Sequence, residues 1–392
     1  MKHVVIIDAL RTPIGSFGGR FKSMTAPQLA SVTIGALYKN NSLNPDVIDE
    51  VIMGNALPAG VGQGPARQAA LLAGLRDTIP CSTVNQVCAS GMKAVMTAAR
   101  QIACGDANVM VAGGMESMSN VPYYQPGARF GTTLGHSELQ DGIIRDALQD
   151  PFKKWQTGNA AELCAQTHEI SRQEQDEYAE ASYRKAQAAQ DQGAFAAEIT
   201  SVKIRNRRGD AEVIIQDEEP GRLDVADIAR KGPAWQKNGT VTSANSAAMG
   251  DGAAALLLMS EEAASEHGLA PLARIAGQAA CAGPAAEYLT APSKAIELAA
   301  QRVGTTPREI DIYELHEPFA VSLPANIRLL DIEPSVVNLH GGAVSLGNPV
   351  GCSGARVLVS LLHSMIRHEK KRGCGAVSAA GGDAAAMVLE RF

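Results

Sequence analysis

IDEVIMG, at residues 48–54, recurs in altered form as IDIYELH at residues 310–316. Each copy follows a helical apolar pattern, at residues 29–37 and 293–303, and a turn that contains proline. A second pair follows in the same order, because CASG at 88–91 and CSG at 352–354 each open a helical pattern that precedes a strand-like run into Gly-Gly. This order indicates a duplicated α/β fold. Continuous apolar strands predict a mostly parallel sheet in each half, with helices on both faces.

Residues 120–249 differ in character from the two similar halves. They contain both tryptophans and interrupt the first half before the apolar strand at residues 252–259. We therefore expect three parts: an N-terminal half from residues 1–119 and 250–270, an inserted domain at 120–249, and a C-terminal half at 271–392.

Charge and composition limit the classes of function. The chain has 35 Lys and Arg against 41 Asp and Glu, a net charge of −6, so its overall field repels nucleic acid and anionic membranes. Its apolar runs are too short to span a membrane, and its start lacks a signal-peptide layout, which predicts a cytoplasmic enzyme. The seven cysteines are an odd number in a chain without a secretory signal, which predicts reduced thiols. Neither they nor the eight histidines have the spacing of metal ligands, which predicts no metal site.

Cys88 is the first candidate for chemistry. It lies between a strand-like segment and the helical pattern at residues 92–103. Unpaired N–H groups and the macrodipole at a helix N-terminus favour a thiolate, so we expect its pKa to lie below about 8.5. The alternative is a small buried side chain, because most free cysteines have that role.

Motifs along essentially the whole chain resemble the thiolase family, most closely its biosynthetic, acetoacetyl-CoA-type branch. They include VCASG at 87–91, GGMESMS at 113–119, HEPFA at 316–320 and GCSGAR at 351–356. The resemblance implies a thiolase-like five-layered αβαβα fold from two duplicated halves plus an inserted loop domain that contacts coenzyme A. It also implies a homo-oligomer, usually a homotetramer, with acyl-CoA substrates, no tightly bound cofactor, and Cys88 as the residue that is acylated.

Four positions depart from the family pattern. His316 stands where thiolases have the asparagine of N-E-A-F, and Asn348 stands where they have the histidine of G-H-P. Ser378 replaces the cysteine that moves the α-carbon proton, and Ala380 replaces a glycine whose backbone N–H helps to form an oxyanion hole. The Cys/His/Asn set resembles that of ketoacyl-ACP synthase III, in which the pair binds the thioester carbonyl of a malonyl donor. We therefore expect His316 and Asn348 to activate the nucleophile or stabilise an oxyanion.

Ser378 determines which step is most impaired. An alcohol is a much weaker acid than a thiol, so Ser378 is a poor replacement for the base that deprotonates acetyl-CoA. Three explanations remain open. Decarboxylation generates the carbanion without a base, or another base such as His340 or Asp383 replaces the cysteine, or the protein no longer catalyses a Claisen condensation. For both His340 and Asp383 a structural role is the competing interpretation.

The resemblance also places six residues around coenzyme A and the acyl group: Gln156, Thr157, Trp235, Ala247, Tyr288 and Phe319. Gln156 and Thr157 replace a family H-M pair, so the acyl pocket is lined differently and the accepted group need not be acetyl. The basic run Lys203–Arg208 alternates with apolar residues, which predicts the exposed face of a strand, with a contact to the phosphates of coenzyme A as the alternative.

These residues together predict a CoA-dependent acyltransferase that forms carbon–carbon bonds through acyl-Cys88, in a Claisen-type condensation that includes a decarboxylative route, or a related acyl transfer. One alternative is an orthodox acetyl-CoA C-acetyltransferase. The other is a catalytically silent CoA-binding subunit of a partner protein, against which the retained Cys88 argues, because an inert scaffold needs no nucleophile.

Overall fold

The computed structural model describes residues 2–131, 134–205 and 209–392. Its α-helices within these ranges are α1 Ala26–Asn40, α2 Pro65–Leu72, α3 Ser90–Cys104, α4 Thr157–Thr167, α5 Arg172–Asp191, α6 Glu261–Glu266, α7 Ala291–Arg302, α8 Ser322–Leu330, α9 Ala343–Leu346 and α10 Ser353–Arg367. Its strands are β1 Val4–Arg11, β2 Gly15–Ser16, β3 Glu50–Gly54, β4 Cys81–Val84, β5 Val109–Ser117, β6 Tyr123–Tyr124, β7 Gln140–Asp141, β8 Val202–Arg205, β9 Ala211–Ile214, β10 Gly250–Ser260, β11 Ala273–Ala282, β12 Ile312–Leu315, β13 Arg372–Ala379 and β14 Asp383–Glu390.

The main sheet repeats one arrangement. In the first half the order is β1-β10-β5-β3-β4, and in the second half it is β11-β14-β13-β12. The parallel pair β3 and β5 corresponds to the parallel pair β12 and β13. β10 runs antiparallel to β1 and β5, as β14 does to β11 and β13. The predicted duplication is confirmed, but the expectation of a mostly parallel sheet is wrong. Apolar runs reveal burial on both faces and carry no information on strand direction.

Three buried apolar clusters define the layers. The central cluster contains α3 and α10 between the strands of the two halves. α1 and α2 cover the outer face of the first half, and α7 and α8 cover that of the second. The order is therefore helix, strand, helix, strand, helix, and the five-layered αβαβα fold is confirmed.

The central helices touch through one glycine each. A Cβ at Gly91 would lie 2.8 Å from the backbone nitrogen of Ala355, and one at Gly354 would lie 2.6 Å from that of Met92. The Gly354 N–H also donates to the Cys88 carbonyl at 3.2 Å. This close approach brings the N-terminal ends of α3 and α10 together at one place in the fold.

The insert leaves the sheet after β5 and returns at β10. Ser117 pairs with Asp251 across these strands, so the two ends of the insert are adjacent. The buried Arg11 of β1 joins the insert to the core through ion pairs of 2.6 Å with both Glu198 and Asp217. In the structure the insert contains α4, α5 and the hairpins β6–β7 and β8–β9.

The basic run lies partly on β8. Lys203 and Arg205 are exposed, while Val202 is buried and Ile204 packs against the core, as expected for a strand with one face in solvent. Residues 206–208 of the run lie outside the described residues. Within the described part of the chain, no helix combines the length and apolarity needed to cross a membrane.

Candidate active site

A cleft of about 430 Å³ is lined by both halves and the insert, a volume typical of small-molecule sites. Cys88 comes from the first half, and Asn348 and Ala380 come from the second. The six residues expected near coenzyme A and the acyl group all line this cleft: Gln156, Thr157, Trp235, Ala247, Tyr288 and Phe319. Trp235 and Phe319 pack edge to face, with ring centroids 5.6 Å apart.

Cys88 lies on a tight turn immediately before α3. Val87 has a φ of 49°, a left-handed conformation that is strained for a β-branched residue. The Ser90 hydroxyl holds this turn, because it accepts from the Gln86 N–H at 2.8 Å and donates to the Val87 carbonyl at 2.5 Å. Asn85 Oδ1 accepts from the Val87 N–H at 2.9 Å. The strained turn thus presents Cys88 at the cleft.

The Cys88 thiol is protonated at neutral pH. Burial raises its pKa to about 12, and hydrogen bonds from the backbone N–H groups of Ala380 and Cys88 oppose that rise without cancelling it. The expectation of a lowered pKa is therefore wrong, because desolvation outweighs the helix N-terminus. The same two N–H groups can donate to an oxyanion that develops beside the sulfur.

His316 directly follows β12 and is buried. Its Nε2 donates to Asn348 Oδ1 at 2.9 Å, and its Nδ1 lies 3.5 Å from Ser378 Oγ. Burial lowers the pKa of His316 to about 4; the hydrogen bond to Asn348 opposes that change and the charge of Arg356 adds to it. The imidazole is therefore neutral, and it lies behind Asn348 rather than in the wall of the cleft.

Asn348 is the member of the exchanged pair that reaches the cleft. Its Oδ1 also accepts from Ser353 Oγ, at 2.5 Å, in the first turn of α10. Because Oδ1 already accepts from two donors, the side chain presents Nδ2 as its hydrogen-bond donor. The motif alone indicates no role for Ser353, although its place at the start of α10 matches that of Ser90 at the start of α3.

The remaining candidates for the base lie away from the cleft. Ser378 is buried on β13 with its hydroxyl toward His316. His340 bonds to Ser364 Oγ and His368 Nε2, each at 3.1 Å. Asp383 is the first residue of β14. None of the three lines the cleft, so the structure brings neither His340 nor Asp383 to Cys88 as a replacement base.

Several residues of the cleft lie outside the motifs quoted above: Ser16, Phe17, Ala147, Leu148, Glu219, Arg222, Ser243, Ser246, Ala248, Met249 and Val350. Among the described residues that line the cleft, Arg222 is the one with a positive charge, and the Arg222 guanidinium lies 3.6 Å from the Glu218 carboxylate. Lys203 and Arg205 of the basic run do not line it. Among the described residues there is no cluster of three or more potential metal ligands.

A buried carboxylate joins the two halves beneath the site. Glu116 accepts from Asn55 Nδ2 at 2.5 Å and from the N–H groups of Ala56 and Gly351, each at 2.9 Å. Burial raises the pKa of Glu116 to about 7, against the effect of these hydrogen bonds. Gly351 belongs to the second half, so this carboxylate fixes the segment that carries Asn348 against the first half.

Known proteins resemble the chain over its full length. The sequence family described as Thiolase, N-terminal domain matches residues 4–262, and Thiolase, C-terminal domain matches residues 269–391. A protein named acetyl-CoA acetyltransferase 2 from Arabidopsis thaliana is 46% identical over 391 residues, 99% of this chain and 97% of that protein. Acetyl-CoA acetyltransferase from Saccharomyces cerevisiae is 45% identical over 396 residues, all of both chains. The crystal structure of the Bacillus anthracis acetyl-CoA acetyltransferase matches with a TM-score of 0.97 and 38% identity, covering 100% of this chain and 99% of that one.

Proposed function

The chain belongs to the thiolase family and is an acyltransferase, and from that premise we propose that it transfers an acyl group from coenzyme A to a carbon nucleophile through a thioester on Cys88. The observation that carries this proposal is the position of Cys88. Its thiol lines the cleft beside Ala380, and the backbone N–H groups of Ala380 and of Cys88 itself lower the pKa of that thiol against the effect of burial.

The first step exchanges one thioester for another. Cys88 Sγ bonds to the acyl carbon, the bond from that carbon to the sulfur of coenzyme A breaks, and coenzyme A leaves as a thiol with the proton of Cys88. The N–H groups of Cys88 and Ala380 stabilise the negative charge on the carbonyl oxygen as the tetrahedral intermediate forms. In the second step a carbanion attacks the acyl carbon, and the Cys88 sulfur leaves and regains a proton.

Orthodox acetyl-CoA acetyl transfer is the form of this reaction that the relatives favour. Similar proteins from fission yeast, Arabidopsis thaliana and Saccharomyces cerevisiae are each named acetyl-CoA acetyltransferase. The reaction needs a base that removes a proton from the methyl group of a second acetyl-CoA. In this chain that base must act without a thiol at position 378, where the side chain is a buried hydroxyl.

Decarboxylative condensation is the second candidate, and Ser378 is the observation that favours it. A malonyl thioester forms its enolate when the bond to the carboxylate breaks and carbon dioxide leaves, so no base has to take a carbon-bound proton. Nδ2 of Asn348 can donate to the enolate oxygen from the wall of the cleft. His316 orients Asn348 through the 2.9 Å hydrogen bond to its Oδ1.

Acylation of Cys88 tests the step that both candidates share. We expect intact-mass spectrometry to show an acetyl adduct after incubation with acetyl-CoA, and we expect Cys88→Ala to lose it. Cys104→Ala is the matched control, because Cys104 is an exposed thiol outside the cleft. The same adduct in Cys88→Ala, or no adduct in the wild type with any acyl-CoA, would refute the proposal. It would favour the alternative that the chain is a catalytically silent CoA-binding subunit.

A pair of assays then separates the two reactions. Cleavage of acetoacetyl-CoA by free coenzyme A at about 1 per second or faster, within the usual range for enzymes, supports the orthodox reaction. Release of labelled carbon dioxide from malonyl-CoA that depends on a prior acyl-Cys88, without acetoacetyl-CoA cleavage, supports the decarboxylative one.

We also propose a homo-oligomer that works in the cytoplasm. Large apolar side chains of the insert are exposed in the single chain, including Phe130, Leu134, Leu139 and Phe152, and such surfaces are typical of contacts with other chains. A relative from Gibberella zeae is named cytosolic, whereas the name of one from Mus musculus says mitochondrial. Light scattering during gel filtration would show a mass above 41.0 kDa; elution at that mass would contradict the oligomer.

A further inference from the structure

A second cavity, of about 480 Å³, shares a wall with the cleft. The residues that line both are Ala147, Gln156, Thr157, Tyr288 and Ala380. No sequence motif indicates this cavity, because the rest of its lining comes from segments far apart in the chain. Its volume lies within the usual range for a small-molecule subsite.

The shared wall lies beside the sulfur of Cys88. Val87 lines the second cavity, Cys88 lines the cleft, and Ala380 lines both. The Ala380 N–H lies close enough to the Cys88 sulfur to lower the pKa of the thiol. An acyl carbonyl held by the N–H groups of Ala380 and Cys88 therefore lies at the boundary of the two cavities. Coenzyme A occupies the cleft in the proposed function, which leaves the second cavity to the rest of the acyl group.

Apolar side chains make up a large part of the second cavity's lining. Ala56, Pro58, Val87, Ala285 and Ala286 contribute to it, together with the apolar part of the shared wall. Small side chains of this kind leave room for a chain of methylene groups, each of which gains free energy when it leaves water.

Four charged residues line the second cavity. Arg145, Asp146 and Lys153 are exposed, and Asp150 is half-buried. Arg145 donates to Gln140 at 2.6 Å, and the Lys153 ammonium lies 4.5 Å from the centroid of the Trp155 ring. Two cations and two carboxylates balance in this lining, so it offers no net preference for an anionic acyl group.

We propose that the second cavity receives the hydrocarbon part of an acyl group longer than acetyl, so that Cys88 accepts butyryl and longer apolar chains. This inference rests on the proposed transfer through acyl-Cys88. It names the substrate class of that site, and it extends to acyl groups that the name acetyl-CoA acetyltransferase does not cover.

The test compares rates of Cys88 acylation by acetyl-, butyryl-, hexanoyl- and succinyl-CoA, followed by intact-mass spectrometry of the full chain. We expect hexanoyl-CoA to react at least as fast as acetyl-CoA. Succinyl-CoA has the same chain length as butyryl-CoA but ends in a carboxylate, and we expect it to react more slowly because that charge would enter an apolar space.

Filling the cavity locates the effect. Ala286 lines the second cavity and not the cleft, so Ala286→Phe should lower the ratio of hexanoyl to acetyl rates by about tenfold or more, the discrimination usual for an apolar pocket. Ala229→Phe is the control, since Ala229 is exposed and lines neither cavity. Ala285→Phe repeats the test if Ala286→Phe fails to fold.

The outcomes separate the two proposals. If no acyl-CoA modifies Cys88, the proposed function fails and the inference fails with it. If acetyl-CoA reacts but butyryl- and hexanoyl-CoA are tenfold slower or worse, the function stands and the second cavity is not an acyl site. An unchanged ratio of hexanoyl to acetyl rates in folded Ala286→Phe or Ala285→Phe would overturn the inference as well. So would faster acylation by succinyl-CoA than by butyryl-CoA.

Discussion

Alkylation of Cys88 by iodoacetamide should accelerate with pH well beyond the point at which ordinary thiols level off. The thiolate is the reactive form, and a free cysteine titrates near 8.5. Burial raises the pKa of Cys88 to about 12, so at pH 7 only about one molecule in 100,000 carries a thiolate, against about 3% for a free cysteine. We therefore expect Cys88 at pH 7 to react roughly 3,000-fold more slowly than a free thiol.

The dependence on pH gives the sharper test. Between pH 7 and pH 10 the rate at Cys88 should rise about tenfold per unit, roughly 1,000-fold in all, without a plateau. The cysteine of a short unstructured peptide with blocked ends, measured in parallel, should level off above about pH 9. Mass spectrometry of the peptide that contains Cys88 measures the rate, and far-UV circular dichroism checks at each pH that the chain remains folded.

Titration of His316 should not affect the pH dependence of the alkylation rate. Its pKa of about 4 lies below the measured range, so the imidazole stays neutral throughout, and no inflection is expected near neutral pH when the profile is extended down to pH 6. A plateau at Cys88 below pH 9 would show that the N-terminal end of α3 outweighs desolvation, and the account of a neutral Cys88 thiol beside a neutral imidazole would be refuted.

Three further substitutions probe the surroundings of the site. Ser353→Ala removes one of two donors to Asn348 Oδ1, so kcat for condensation should fall about tenfold with little change in KM. Ser353→Thr keeps the hydroxyl and should retain the rate. A kcat equal to that of the wild type in Ser353→Ala would contradict this role. Glu116→Ala leaves several buried donors without an acceptor. It should lower the free energy of unfolding, measured in urea, by about 3 kcal/mol or more. A loss below about 1 kcal/mol would contradict the role of Glu116 in joining the two halves. Arg11→Met leaves buried carboxylates, Asp217 among them, without a counter-charge; we expect a loss of about 3–5 kcal/mol and faster proteolysis within the insert, and an unchanged melting temperature would argue against it.

The two duplicated halves, each with helices on both faces of its sheet, were accessible from sequence because they depend on local patterns, whereas the order of five layers came from the resemblance to thiolases. The repeated apolar segments are β3 and β12, and the CASG and CSG segments open α3 and α10. The direction of β10 was not accessible, since it is set by a pairing between β5 and β10 across the whole insert. The apolar pattern of a buried strand is the same whether the strand runs parallel or antiparallel to its neighbours.

The site shows the same division. Motif positions were sufficient to select Cys88, Asn348, Ala380 and the six residues expected around coenzyme A, all of which line the cleft, but not the other residues in its wall. The direction of the pKa shift at Cys88 was not accessible, because desolvation comes from distant segments that pack over the turn. The exchange of His316 and Asn348 could be seen in the motifs, whereas only coordinates show that the imidazole bonds to the carboxamide and lies behind it.

The return of the insert beside its own starting point has a consequence for synthesis on the ribosome. β10 lies between β1 and β5, yet it emerges only after the whole of residues 118–249 has been translated. At about 5–20 residues per second this delay lasts roughly 10 s. Throughout it, β1 and β5 each lack their shared neighbour, and open strand edges favour aggregation. A nascent-chain chaperone that shields these edges would therefore act between the emergence of Ser117 and that of Ser260.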